Sequence, residues 1–275
     1  MPMNAADYRE SLRRYKPRVW VDGERIESVA DAPQLRPGIN AMGVTYDYAL
    51  RDDLAPVMRA VQASSGRNVN RMLQTDSSSA DLLNKLEAVR ILCQETGCAQ
   101  RYLAHDGFGA LQQTTARVDA DTGSRYGERF LAYLHDFQDK DLSLGIAMTD
   151  AKGDRSKRPH EQANRDSYVH IVERNGKGIV ISGTKAIVTG APYMHEFLVM
   201  PSRNMVAADA DFAVCCAVPC DADGLTIVAR PAGRARRRRC SRTSMASRPA
   251  CWSSTGCSCP GSGCSWPASG STRPR

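Results

Sequence analysis

Apolar residues change their period once along this chain, near residue 140, and that change limits the possible folds more than any other feature. Before it, the spacing is that of amphipathic helices; after it, apolar residues alternate or run together as in strands. AADYRESLRRYK (5–16) predicts a short amphipathic helix. RVWVDGERIES (18–28) predicts a hairpin turning at Asp22-Gly23, and residues 53–62 read as helical. SSSADLLNKLEAVRILCQETG (77–97) is the clearest helix. Ser79 can cap it, Leu82, Leu83, Leu86, Val89 and Leu92 line one face, and Gly97 can end it. Residues 98–115 continue as a second helix or a kinked extension, and 124–138 form another.

Strands are predicted at 168–174, 177–189, 196–200, 212–218 and 225–229, with turns at Asn175-Gly176 and Asp221–Gly224. The pattern is α+β: a helical domain over residues 1–140, then a β domain over 141–233. No internal repeat interrupts it.

A second break follows Gly233. The last stretch is RARRRR followed by Cys, Ser, Pro, Gly, Arg and Trp, without Ile, Leu, Val, Phe, Tyr or Lys. It holds nine arginines and no acidic residue, so removing it turns a net charge of +7 into a slightly acidic remainder. A basic, nucleic-acid-binding character would therefore belong to this tail alone. Its Trp and Cys content is unusual for a disordered basic segment. Cys251, Cys257, Cys259 and Cys264 have spacings that match no common zinc ligand set.

The genetic code offers the reading adopted here. Move the frame one base upstream, and each new codon takes the first two bases of an observed codon as its second and third. Cys and Trp codons begin with TG, and one serine set begins with TC, so T enters the second codon position, which encodes apolar residues. With GC-rich codons, CWSSTGCSCPGSGCSWPASG (251–270) re-reads as (V/L)LVVDGVFVPWERVFLAGEW, a strand, a turn and another apolar run. Residues 234–275 are thus expected to be a frameshifted, disordered tail, and the chain as written to be truncated and inactive.

The bulk composition, 42% hydrophobic and 24% charged, is ordinary for a soluble protein. No apolar run reaches the ~18 residues of a membrane span, and the N-terminal segment shows no apolar signal region. The expectation is a cytoplasmic protein with reduced cysteines. IAMTDAKGDR (146–155) joins the two modules, where ligand clefts often form. It offers backbone amides, a hydroxyl and four charged groups, or it is a solvated linker. No Gly-rich dinucleotide fingerprint or P-loop occurs.

AMTDAKGDR, GIVISGTKAIVTGA (178–191), DADG (221–224), RVWVDGERIES and LRPGINAMGVTYDYA (35–49) occur in one order. Together they resemble the flavin-dependent 4-hydroxyphenylacetate 3-hydroxylase and 4-hydroxybutyryl-CoA dehydratase family. The resemblance covers nearly all of residues 5–230 and extends into the re-read tail. It implies an acyl-CoA-dehydrogenase-like fold: an N-terminal helical domain, a middle β-barrel domain and a C-terminal helical bundle, the last absent here. It also implies FAD between the domains and a homotetramer. By resemblance, Met148, Thr149, Asp150, Arg155 and Thr189 contact flavin.

The family's two branches differ in chemistry. The dehydratase holds an iron–sulfur cluster partly through a C-x-x-x-C pair on one helix. Here Cys98 takes the first position and Tyr102 the second, which argues against a cluster and leaves Cys98 as a buried thiol. The hydroxylase binds its phenol with an Arg and a Tyr four residues apart, and with a His before the flavin loop. Arg101 matches the Arg, His105 stands in place of the Tyr with Tyr102 nearby, and Ile146 stands in place of the His.

Arg101, Tyr102 and His105 are the catalytic candidates. Arg101 could pair with a substrate anion, or structurally with Asp106 or Glu95; His105 could move a proton or be a satisfied helix histidine. His195 could line the cleft, His135 sits on a helix, and His160 and His170 read as loop and strand surface. The resemblance implies a monooxygenase that hydroxylates a phenolic substrate with reduced FAD from a separate flavin reductase. A 4-hydroxybutyryl-CoA dehydratase-like enzyme is the alternative.

Overall fold

The computed structural model describes residues 2–99, 101–151 and 153–230, together with the backbone of Pro249–Pro260. The first helix, α1 (Ala5–Arg14), starts at Asn4, whose side chain accepts from the Asp7 amide while Asp7 accepts from the Asn4 amide. This reciprocal box satisfies donors that a helix start leaves open. The hairpin β1 (Val19–Val21) and β2 (Glu24–Ile26) turns at Asp22-Gly23, both at positive φ. Helix α2 (Arg36–Leu50) follows with proline in its first turn. The periodicity reading passed over it because LRPGIN opens like a loop, although proline suits a first helical turn.

The helix expected over 53–62 is a single turn, α3 (Ala55–Met58), that runs straight into β3 (Arg59–Val61), paired with β4 (Asn68–Asn70). Helix α4 (Ser79–Thr96) is capped by Ser78 rather than Ser79, and Gly97 closes it with φ of 73°. Its expected apolar face is only half used. Ala88 and Leu92 are buried, while Leu82, Leu83 and Leu86 stand exposed. Helix α5 (Tyr102–Thr122) is a separate, longer helix, not an extension of α4, and α6 (Tyr126–Asp139) packs beside it. Phe108, Phe130 and Phe137 close the core between them.

The β region comprises β5 (Leu144–Ala147), β6 (His170–Asn175), β7 (Gly178–Thr189), β8 (Glu196–Val199), β9 (Cys216–Pro219), β10 (Leu225–Ala229) and β11 (Pro249–Pro260). Two open sheets result, ordered β2-β1-β10-β11-β7-β6 and β5-β8-β9. No closed barrel forms among the described residues. The expected β-barrel is therefore corrected to separate sheets, with the fold mixed helix and sheet as anticipated.

The N-terminal hairpin joins the larger sheet, with Val19, Trp20 and Val21 parallel to Ile227, Val228 and Ala229. Tyr8 and Leu12 of α1 share one core with Ile181, Phe197 and Ile227, so the division at residue 140 does not separate two cores. Residues 249–260 pair with β10 on one side and β7 on the other. These twelve residues are a strand where disorder was expected. The rest of the tail, the Arg run and Cys264 included, lies outside the described residues.

Candidate functional site

Strand β5 ends at Ala147, and the chain then pairs with the edge of β7. Asp150 bridges to Lys185, the Ala186 amide donates to the Thr149 carbonyl at 2.8 Å, and the Ala151 amide donates to the Thr184 carbonyl at 3.1 Å. This antiparallel seam pairs Thr149–Ala151 with Thr184–Ala186 of β7, and Thr189 lies three residues further along the same strand. Met148 is 41% exposed, Thr149 and Thr189 are half-buried, and Arg155 is exposed with no ion pair among the described residues. Ile187, 66% exposed, has φ of 61°, a conformation that a β-branched residue rarely adopts.

Two braces hold the loop beyond this ledge. Buried Gln162 accepts from the Asp154 amide at 2.9 Å and donates to the Asp154 carbonyl at 2.7 Å. A Cβ on Gly153 would stand 2.3 Å from Gln162 Oε1, so any other residue there would push the Gln162 amide off its bonds to Asp154. Asp209, fully buried, accepts from His160 Nδ1 at 2.6 Å, Arg158 Nε at 3.2 Å and the Val206 amide at 3.1 Å. These bonds hold its carboxyl below the usual range against burial, which pushes the other way.

Asp150 departs from its expected role. It is 2% exposed, and its oxygens take Lys185 Nζ at 2.6 Å, the Val169 amide at 3.2 Å and Ser202 Oγ at 2.7 Å. A carboxylate so occupied braces the loop and offers little to a ligand. Lys185 escaped the sequence reading, yet it had a signal. Ile179, Ile181, Gly183 and Lys185 alternate along the buried face of β7, and a lysine at such a position requires buried partners.

The catalytic candidates do not converge. Arg101 is fully buried; its Nη2 donates to Asp141 Oδ1 at 2.5 Å and to the carbonyls of Asp141 and Leu142 at 2.8 Å. Its guanidinium carbon lies 3.9 Å from the centre of the Tyr46 ring. Burial pulls its pKa down, but Asp141 and Tyr46 outweigh burial and raise it. Neither suggested structural partner is used, since Asp106 pairs with Lys85 at 2.8 Å and the partner of Arg101 is Asp141. Tyr102 packs against the Ala49, Met58 and Leu92 cluster. His105 is 2% exposed and contacts Asp76 at 3.0 Å. Burial lowers its pKa, and Asp76 partly opposes that. Cys98 is half-buried, with its amide donating to Thr96 Oγ1 at 3.2 Å.

His195 does not line a cleft; it is fully buried. Its Nδ1 accepts from the Ser143 amide at 2.9 Å, which leaves Nε2 to donate to Ser11 Oγ at 2.7 Å, and Ser11 passes its own proton to the Tyr8 carbonyl at 2.6 Å. Burial first, and then Arg101, lower its pKa to about 3, so the ring is neutral. His170 is likewise buried, its ring tilted at 36° to that of Phe212, not on the surface. A cavity of about 580 Å³ near Arg59, Arg67, Asn70 and Asp141 includes none of the expected flavin residues.

The ledge suits a flavin in kind. Met148 and Ile187 offer apolar surface, Thr149 and Thr189 offer hydroxyls, and Arg155, without an ion pair among the described residues, offers a cation for a phosphate group.

A family described as "4-hydroxyphenylacetate 3-hydroxylase N terminal" matches residues 4–249, past the composition break at Gly233. The 4-hydroxybutyryl-CoA dehydratase/vinylacetyl-CoA-Delta-isomerase of Clostridium aminobutyricum is 40% identical over 229 residues, 83% of this chain and 47% of that protein. The oxygen-tolerant archaeal 4-hydroxybutyryl-CoA dehydratase from N. maritimus superposes with a TM-score of 0.87 at 34% identity, covering 95% of this chain and 53% of its own. The oxygenase component of 4-hydroxyphenylacetate 3-monooxygenase, complexed with FAD, shares the fold with a TM-score of 0.77 at 21% identity, covering 94% and 54%. The chain spans about half the length of the relatives it matches.

Proposed function

The chain belongs to the 4-hydroxyphenylacetate 3-hydroxylase N-terminal family, and from that membership we propose an FAD-dependent oxidoreductase, a two-component monooxygenase that hydroxylates a phenolic small molecule. A separate flavin reductase supplies the reduced cofactor, and the working protein is a cytoplasmic homotetramer. The observation that carries the choice of branch is Tyr102. It occupies the second position of the cysteine pair that an iron–sulfur enzyme of this kind needs, and it packs among apolar side chains. Cys98 then remains the single thiolate candidate of that pair.

Bound reduced flavin supplies the oxygen activation that side chains lack. The protein's own part is placement. Thr149 and Thr189 would offer hydroxyls to the bound flavin, Met148 and Ile187 would offer it apolar surface, and Arg155 would take up phosphate charge. Arg101, just before α5, and His105, in its first turn, brace the helical part through Asp141 and Asp76.

The 40% identity to a dehydratase favours a second reading, 4-hydroxybutyryl-CoA dehydratase-like chemistry. Purification with FAD and iron in excess separates the two. Bound flavin without stoichiometric iron is expected; a broad iron–sulfur absorbance band with stoichiometric iron would overturn the monooxygenase reading.

A further inference from the structure

Lys185 is the least expected charge in the β region. It is 2% exposed on the inward face of a strand, where apolar packing costs less than an ion pair. Its ammonium has three acceptors: Asp150 Oδ1 at 2.6 Å, the Met148 carbonyl at 2.9 Å and the Met200 carbonyl at 2.8 Å. Asp150 in turn takes the Val169 amide and Ser202 Oγ. One buried pair thus ties together the loop after β5, the middle of β7, the end of β8 and the approach to β6. Every charge-bearing atom in the pair has a partner, which is the condition for a buried pair to be tolerated.

What this clasp touches matters more than how strongly it binds. One of its acceptors is the carbonyl of Met148, the first ledge residue. Asp150 adjoins Thr149. One residue past Lys185, the Ala186 amide holds the Thr149 carbonyl, and one residue further Ile187 takes its left-handed turn. Thr189 lies four residues beyond Lys185. The clasp therefore fixes the ledge from behind while its own charged atoms stay away from the ledge surface.

We propose that Lys185, acting with Asp150, is the positioning residue of the flavin ledge, and that Asp150 serves the cofactor through this clasp and not by contact. The proposal rests on the flavin reading above. It predicts a split between local order and global stability. A residue that merely fills the core moves both together, because its loss loosens everything packed on it. A positioning residue moves the ledge first.

The test uses the whole chain. Lys185→Met alone strands a buried carboxylate and is expected to unfold much of the protein, so the informative variant is Asp150→Asn/Lys185→Met, which removes both charges and keeps their bulk. Two readouts are taken: amide hydrogen exchange by mass spectrometry, comparing 148–151 with α6, which the clasp does not touch, and FAD affinity by flavin fluorescence.

The proposal predicts that the ledge amides exchange about tenfold faster while α6 amides change little. FAD affinity is predicted to fall about tenfold with it. Unchanged ledge exchange, an equal loss of protection in α6, or a faster ledge with unchanged FAD affinity would each overturn it. If the unsubstituted chain shows no flavin binding, the flavin reading falls with the cofactor half of the proposal, while the exchange comparison still decides whether the clasp orders the loop.

Discussion

Acid should weaken this protein through His195, and the effect can be worked out in advance. The ring is fully buried, accepts from the Ser143 amide and donates to Ser11, so it must be neutral in the folded state. Its folded pKa of about 3 lies below its usual value near 6.5. Because the folded pKa is lowered, the unfolded chain binds the proton more readily. Stability is fully present above about pH 6.5 and is lost as pH falls toward 3, at about 1.4 kcal/mol per pH unit.

Between pH 7 and pH 5 this one group should remove about 2 kcal/mol. Other groups titrate in the same window, so the comparison is with His195→Asn, which keeps an acceptor for the Ser143 amide and cannot titrate. At pH 7 the variant should be less stable by about 1–3 kcal/mol, from the lost Ser11 contact and the smaller ring volume. Urea unfolding at half-unit pH steps measures both proteins, and the gap should close by about 2 kcal/mol by pH 5. Parallel curves would refute the reasoning, since they would mean that the folded protein takes up the His195 proton as easily as the unfolded chain.

Other expectations follow from the same structure. Arg101→Met strands Asp141 inside the protein and should cost about 3–5 kcal/mol, read from the urea midpoint; a loss below 1 kcal/mol would show that the pair is not buried in solution. Phe108→Ala opens a void among Phe130, Tyr133 and Phe137 and should cost about 3–5 kcal/mol in the same assay. Ile187→Asn places a residue that tolerates left-handed backbone at φ of 61° and should raise stability by about 1 kcal/mol, a gain that a relaxed Ile187 would not give. Sequencing the gene around codon 233 should show an open frame one base away that encodes the apolar strand and turn; an uninterrupted single frame in an independent isolate would remove the frameshift reading.

The sequence exposed its local structure better than its partnerships. The capping residues and periodicity of α1 and α4, and the Asp22-Gly23 hairpin, were legible because each depends on neighbours a few residues away. Helix α2 was hidden behind its proline, and the 53–62 segment was too short for its period to separate a helical turn from a strand. Nothing local could join β1 to β10, because that register pairs residues some two hundred positions apart.

The same limit governed the site. The pattern singled out Arg101 and His105 as charged or titratable groups on a helix, but their partners, Asp141 and Asp76, lie 40 and 29 positions away. Asp150 sits in the segment after β5, but its oxygens are taken by Lys185, Val169 and Ser202, partners that no pattern local to it shows. Lys185 could have been found, since it breaks the apolar alternation of β7. Its clasp with Asp150 was the one non-local contact at the site that the strand pattern could have suggested.

The central claim is that the segment after β5, held against β7, is a flavin ledge. Titrating FAD into the purified chain while following flavin fluorescence tests it directly. Saturable quenching is expected, with a dissociation constant raised about tenfold or more by Arg155→Ala, which removes the cation assigned to phosphate. Absence of saturable quenching, or an affinity untouched by Arg155→Ala and by Thr149→Ala alike, would contradict the account.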